Sequence, residues 1–187
     1  LKFRKQHYHA SNMIITVAGG ITEKESIALA EKYFGSIDSG VDKENFDLFN
    51  YFQDKPRIKL ISKKIEQAHM VLGFNGFPLG HKRRYTEAVL TTILGGGMSS
   101  RLFTEVREKR GLCYSVRTSS DHFVDTGTIA TSLGTDPKKA TEAIKVILDE
   151  TARLVSRTNK ITQDELQKAK DYEKGHLALS LENTKNV

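Results

Sequence analysis

Apolar and polar positions change period several times along this chain, and each change marks an element. Met13 to Val17 is a short β-rich apolar run closed by Ala18-Gly19-Gly20, which predicts a buried strand ending in a turn. Thr22 with Glu25 three residues on is a capping box. Ile27, Ala30 and Phe34 then recur at helical spacing until Gly35 ends the helix. Residues 36 to 55 carry no sustained period and many Asp, Asn and Gly, so they read as a long connection, with Phe46, Phe49, Tyr51 and Phe52 expected to pin it to the body. Ile58, Leu60 and Ser62 alternate with basic residues as a half-exposed strand does, and Ala68 to Phe74 reads as a more buried strand. The short link between them, Lys64 to Gln67, makes that pair antiparallel.

A helix follows from about Arg83 to Leu94, burying Ala88, Val89, Ile93 and Leu94. Gly95, Gly96 and Gly97 break it, and Ser99 or Ser100 caps the next helix. Past Gly111, Leu112, Tyr114 and Val116 are expected on one face of a strand, with Cys113, Ser115 and Arg117 on the other. Thr126 to Leu133 supplies a further strand. Asp136 before Pro137 is an N-cap with proline at the first helical position, opening a helix through Ile144, Ile147, Leu148 and Leu154. A second capping box, Thr162 with Glu165, opens the last helix, with Leu166, Ala169, Glu173, Leu177 and Leu181 along one side. This order suits an α+β fold, a two-layer sandwich whose largely antiparallel sheet has helices packed on one face.

Composition adds limits. With 187 residues and 38% hydrophobic content the chain can bury one core of ordinary size, so residues 1–187 are expected to form a single domain. The 29 basic and 23 acidic residues are interleaved, with Arg101, Glu105 and Lys109 at the i, i+4 spacing of a solvated helix face, so net charge +6 implies no nucleic-acid partner. Cys113 is the single cysteine, which rules out an internal disulfide and suits a reducing, cytoplasmic setting. No apolar run approaches the roughly 18 residues that span a bilayer, and residues 1–7 have no signal-peptide core, so a soluble protein without a membrane partner is expected. The chain opens on leucine and stops inside what reads as an unfinished helix, and it is expected to be a fragment of a longer protein.

Candidate chemistry concentrates between Gly95 and Val116. The triple glycine is not a phosphate loop, because Met98-Ser99-Ser100 stands where Gly-Lys-Ser/Thr is needed, and the preceding element is helical where a dinucleotide fingerprint needs a strand. A structural hinge is its default reading. Arg107, amid Glu108, Lys109 and Arg110, has a solvated surface charge as its default. At 100° per residue, however, it lies about 40° beyond Phe103 at the border of the Leu102, Phe103, Val106 stripe, where a guanidinium fork can be held still. Tyr114 is either a half-buried core residue or a phenol donor aimed at a reacting carbonyl, and sequence leaves that orientation open. His69 reads as structural, and Cys113 has no histidine nearby in sequence to activate it. None of the six histidines begins or ends a His-x-x-Glu-His pattern, and His7 and His9, two apart, could share a metal only on an extended strand with no carboxylate or thiol near. No metal ligand is therefore assigned to this chain.

The stretch from Gly95 to Val116, with its glycine turn and with Arg107 and Tyr114 seven residues apart, closely resembles the substrate-clamp segment of the inverzincins, zinc metallopeptidases of the mitochondrial-processing-peptidase and pitrilysin kind. Tyr8 to Met13 with Val17-Ala18-Gly19, Tyr33-Phe34-Gly35 and Glu66-Gln67-Ala68-His69 are similar to further landmarks of that family. The resemblance implies the carboxyl-side half-domain of such a zinc metalloendopeptidase, paired with a zinc-bearing half to enclose a chamber for unfolded or short peptides. It further implies that Gly95, Gly96, Gly97, Arg107 and Tyr114 meet substrate. Arg107 would grip its backbone and Tyr114 would assist at the tetrahedral intermediate. Zinc is then a cofactor of the complete enzyme, held by another domain or subunit, and this chain alone is inactive. The resemblance also implies a dimer for the full-length protein. The alternative is a non-catalytic assembly subunit or peptide-binding scaffold related to these peptidases.

Overall fold

Regular structure forms most completely where the apolar periods are strongest, between Ala68 and Val155. In the computed structural model, which describes residues 1–40, 47–49, 52–156 and 160–186, three strands make one sheet: β1 (Ala68–Gly76), β2 (Cys113–His122) and β3 (Gly127–Thr135). Their order is β1-β3-β2, both pairings are antiparallel, and β1 and β2 are the edges. Glycine-rich β3 runs against the full length of β1, from Ala68 opposite Thr135 to Gly76 opposite Gly127.

The α-helices among the described residues are α1 (Lys2–His7), α2 (Glu23–Phe34), α3 (Arg84–Thr91), α4 (Ala140–Val155) and α5 (Gln163–Leu181). Two π-helical turns, Thr92–Gly96 and Phe103–Glu108, lie between α3 and β2. The caps fall where short-range chemistry puts them. Thr22 and Glu25 complete a reciprocal capping box, Asp136 accepts from the Lys138 N–H at 2.8 Å with Pro137 following it, and Thr162 accepts from the Glu165 N–H at 3.1 Å.

The chain divides into two compact units, Leu1–Asp47 with Leu177–Val187, and Leu48–His176. In the second unit one face of the sheet meets helices. Val116 and Leu133 pack there with Leu94, Leu102, Val106, Leu112, Ala143 and Ile147. Leu102, Val106 and Ile147 are fully enclosed, each removing apolar surface worth about 1.5–3 kcal/mol. The α+β class and the antiparallel sheet are as expected.

Several elements differ from expectation. Met13–Val17 forms no strand among the described residues, and Ile14 is 96% exposed. Residues 58–62 are likewise unpaired, with Ile58 93% exposed, so the neighbour of β1 is β3. Alternation fixes which way side chains point, yet a strand also needs a backbone partner, and alternation does not name one. The Phe49 and Phe52 side chains are exposed, and it is the Phe49 N–H, donating to Asp125 Oδ2 at 2.6 Å, that ties the connection there, while Phe46 and Tyr51 lie outside the described residues. The helix expected to end at Leu94 is α3 plus the first π-helical turn, and Ala88 and Val89 are half-buried. Its most enclosed polar side chain is Glu87, whose Oε2 accepts from the Phe77 N–H at 2.8 Å and whose Oε1 lies 3.9 Å from His122 Nδ1.

In the first unit, Ala10–Asn12 forms a short 3-10 turn tied to the chain after α2 by Ala10 N–H to Asp38 O at 2.9 Å and Ser11 N–H to Ser39 O at 3.1 Å. None of its described residues up to Gly40 is buried. Among the described residues no helix is long and apolar enough to cross a membrane.

Candidate functional site

The helix that follows the triple glycine carries Arg107 and delivers the chain to Tyr114. Ser100, itself buried, caps its start by accepting from the Phe103 N–H at 3.4 Å. Within the π-helical turn the Lys109 N–H reaches back to Thr104 O at 2.9 Å, a five-residue step. The helix closes at Gly111, whose φ of 55° is a left-handed conformation that glycine adopts without steric cost. The Leu112 N–H returns to Val106 O at 2.9 Å, so the chain reverses onto the start of β2. Thr135 of β3 holds that start by donating its hydroxyl to Leu112 O.

At this point β2 is irregular. Cys113 lies opposite Thr135 and Ser115 opposite Gly134, which leaves Tyr114 as the extra residue of a β-bulge. A bulge re-aims the side chain it carries. Leu112 and Val116 therefore face the core as expected, while Tyr114 leaves their face and is 78% exposed. Cys113, expected on the opposite face, packs against the core.

The bulge and the helix end bring the two candidate residues together. The Arg107 Cζ lies 5.6 Å from the centre of the Tyr114 ring and 4.7 Å from that of Phe103, so the guanidinium is flanked by two aromatic rings. Among the described residues it forms no ion pair or hydrogen bond, and the Tyr114 hydroxyl has no partner either. Nearby cations differ. Lys109 Nζ and Arg110 Nη1 each bind a carboxylate oxygen of Glu105 at 2.6 Å, and Arg110 also donates to Glu105 O. Those bonds hold the Glu105 carboxyl below its ordinary value. Burial pushes the Cys113 thiol up, and the charge of Arg107 opposes this only in part, so Cys113 is a packing residue beside the site.

The glycines stand apart from this pair. Gly95 is buried, and a Cβ there would lie 2.7 Å from the backbone nitrogen of Thr118 and closer still to its hydroxyl. Thr118 is four strand residues from Tyr114, roughly 13 Å along β2. Gly97 is in ordinary contact range of the Tyr172 ring. A small cleft beside it is lined by Thr92, Ser99, Ser100, Glu165, Lys168 and Tyr172.

Arg101 Nε donates to Glu165 Oε1 at 2.6 Å and a second guanidinium nitrogen to Oε2 at 3.0 Å, joining the helix after the glycines to the first turn of α5. The Arg101 fork, aided by the Thr162 N–H and hydroxyl, holds the Glu165 carboxyl down at about 2, against a burial cost that opposes it. Because the folded value lies below the unfolded one, this stabilisation is complete above about pH 4.5 and is lost as pH falls through about 2. Urea titrations across that range should show a loss on the order of 2 kcal/mol, and Glu165→Gln should remove this pH dependence. An unchanged slope in the variant would contradict the assignment.

Among the described residues no group of three or more His, Cys, Asp or Glu side chains could hold a metal ion. His9 Nδ1 is engaged with Ser11 Oγ at 2.9 Å, and the His7 ring lies 4.3 Å from the Phe3 ring, tilted by 38°. The described residues thus offer no ligand set that zinc would fit. Phe103 was not singled out as a site residue by the sequence, although its position one turn before Arg107 is legible there.

Residues 1–172 match the family model described as the peptidase M16 inactive domain, and the chain belongs to that family. A zinc protease of Bacillus subtilis, YmxG, is 36% identical over 183 residues, which is 98% of this chain and 43% of the relative. The crystal structure of a protease from Helicobacter pylori superposes with TM-score 0.85 at 25% identity, covering 99% of this chain and 45% of that one. The peptidase M16 inactive domain from Pseudomonas fluorescens, at TM-score 0.72 and 24% identity over 90% of this chain and 40% of that one, shares the fold. This chain thus spans about two-fifths of the length of the curated relatives it matches.

Proposed function

We propose that this chain is the substrate-clamp domain of a zinc-dependent endopeptidase whose zinc is bound by another domain or subunit. The observation that carries the proposal is the meeting of Arg107 and Tyr114, with both polar ends unengaged by the described residues. In this reading Arg107 offers its fork to backbone carbonyls of an extended peptide and fixes the peptide's register. The Tyr114 hydroxyl donates a hydrogen bond to the oxyanion that forms on the attacked carbonyl. That bond is stronger to the oxyanion than to the ground-state carbonyl, which is the condition for raising rate. Gly95 allows close approach of helix and sheet at Thr118 and so sets the start of the Arg107 helix, with Gly96 and Gly97 completing the turn. The catalytic half and the peptide are the partners, within a dimer of the full-length protein.

The experiment is Arg107→Ala in the full-length protein or two-chain assembly, assayed on peptides with zinc present. Hydrogen bonds from a charged donor are worth about 1.5–3 kcal/mol, so kcat/KM should fall roughly ten- to hundredfold. Arg107→Lys should recover little of it, since a single ammonium cannot reproduce the planar fork. Unchanged kcat/KM in Arg107→Ala would favour a non-catalytic scaffold.

A further inference from the structure

An arginine on a helix surface can pair with a carboxylate one turn away, and Arg107 has none there. At three and four residues on either side stand Phe103, Thr104, Arg110 and Gly111, none of them acidic. Glu105, the acidic residue that binds cations on this helix, has both its oxygens committed to Lys109 and Arg110. What the Arg107 guanidinium meets instead is the half-buried ring of Phe103 at 4.7 Å, with the Tyr114 ring beyond it at 5.6 Å. An aromatic face attracts a cation through its quadrupole and uses none of its N–H donors, whereas a carboxylate in the same place would occupy two.

We propose that Phe103 is a positioning residue, which holds the Arg107 guanidinium beside Tyr114 and leaves its donors free for an incoming peptide. This rests on the clamp reading of Arg107. Phe103 is suited to the task because its backbone is fixed at the capped start of the π-helical turn, with Ser100 accepting its N–H. Its i, i+4 relation to Arg107 stacks the two side chains along one helix edge.

The test is a double-mutant cycle in the full-length, zinc-bearing protein, using one extended fluorogenic peptide and reading KM and kcat separately. Phe103→Leu keeps an apolar side chain and removes the π-face. It should raise KM about fivefold with kcat nearly unchanged, the range expected for loss of an exposed cation–π contact. Phe103→Tyr keeps the face and should stay within about twofold of the parent. In an Arg107→Ala background, Phe103→Leu should have no further effect, because Phe103 acts through Arg107. A loss of equal size in that background, as general weakening of the fold would produce, would overturn the proposal. So would an unchanged KM in Phe103→Leu alongside a clear loss in Arg107→Ala, which would leave the clamp standing without its aromatic support. Should Arg107→Ala itself change neither constant, the clamp reading falls and the positioning role falls with it.

Discussion

Replacing Tyr114 by phenylalanine in the full-length protein should lower kcat roughly a hundred- to a thousandfold under the proposed clamp role, the effect of losing one oxyanion donor, about 2.7–4 kcal/mol. The surroundings of the hydroxyl are the reason to expect the loss in kinetics and not in stability. The Tyr114 hydroxyl has no partner among the described residues and the side chain is 78% exposed, so the substitution removes no internal hydrogen bond. A structural hydroxyl would behave oppositely, taking on the order of 1 kcal/mol from stability while leaving turnover alone. KM should change little, because a donor that engages the oxyanion contributes mainly in the transition state. Turnover within a few-fold of the parent, with a lowered melting temperature, would refute the assignment.

The second large effect is on folding. Gly95→Ala places a Cβ 2.7 Å from the Thr118 backbone nitrogen and against its hydroxyl, which is itself bonded to the Thr131 hydroxyl at 2.8 Å inside the sheet–helix layer. Thr118 cannot retreat without breaking that buried pair and shifting β2. The cost should be about 3 kcal/mol, the upper end of what overpacking a close-packed interior produces. Gly97→Ala, whose Cβ would lie 3.5 Å from the Tyr172 ring, should change stability by no more than about 0.5 kcal/mol. Urea midpoints for the two variants and the parent separate these outcomes. A neutral Gly95→Ala would mean that the triple glycine is a hinge with room around it.

Local chemistry was the legible part of this chain. Thr22 with Glu25, Asp136 with Pro137, and Thr162 with Glu165 mark helix starts because each cap closes a hydrogen bond within three residues. The helical wheel also placed Arg107 beside Phe103 at the edge of the packed stripe. Non-local geometry was not legible. Alternation put Tyr114 on the face of Leu112 and Val116, and the bulge opposite Thr135 and Gly134 turned it outward; a bulge depends on register with a strand more than ten residues away. Met13–Val17 and Ile58–Ser62 have strand-like patterns and no strand partner among the described residues. Glu87 gave no sign of burial, since its partners are the backbone of Phe77 and the ring of His122, brought there by the sheet. The family resemblance rested on the glycine turn with Arg107 and Tyr114 at their spacing, supported by Tyr8 to Gly19, Tyr33-Phe34-Gly35 and Glu66 to His69, and the family match over residues 1–172 bears it out.

The most direct test of the central claim is one preparation of the full-length protein carrying both Arg107→Ala and Tyr114→Phe, measured for bound zinc and for peptide turnover. Zinc should be retained at the parent's stoichiometry and turnover lowered at least a hundredfold if these residues act on the peptide and not on the metal. Turnover within a few-fold of the parent, or loss of zinc in parallel with activity, would contradict it.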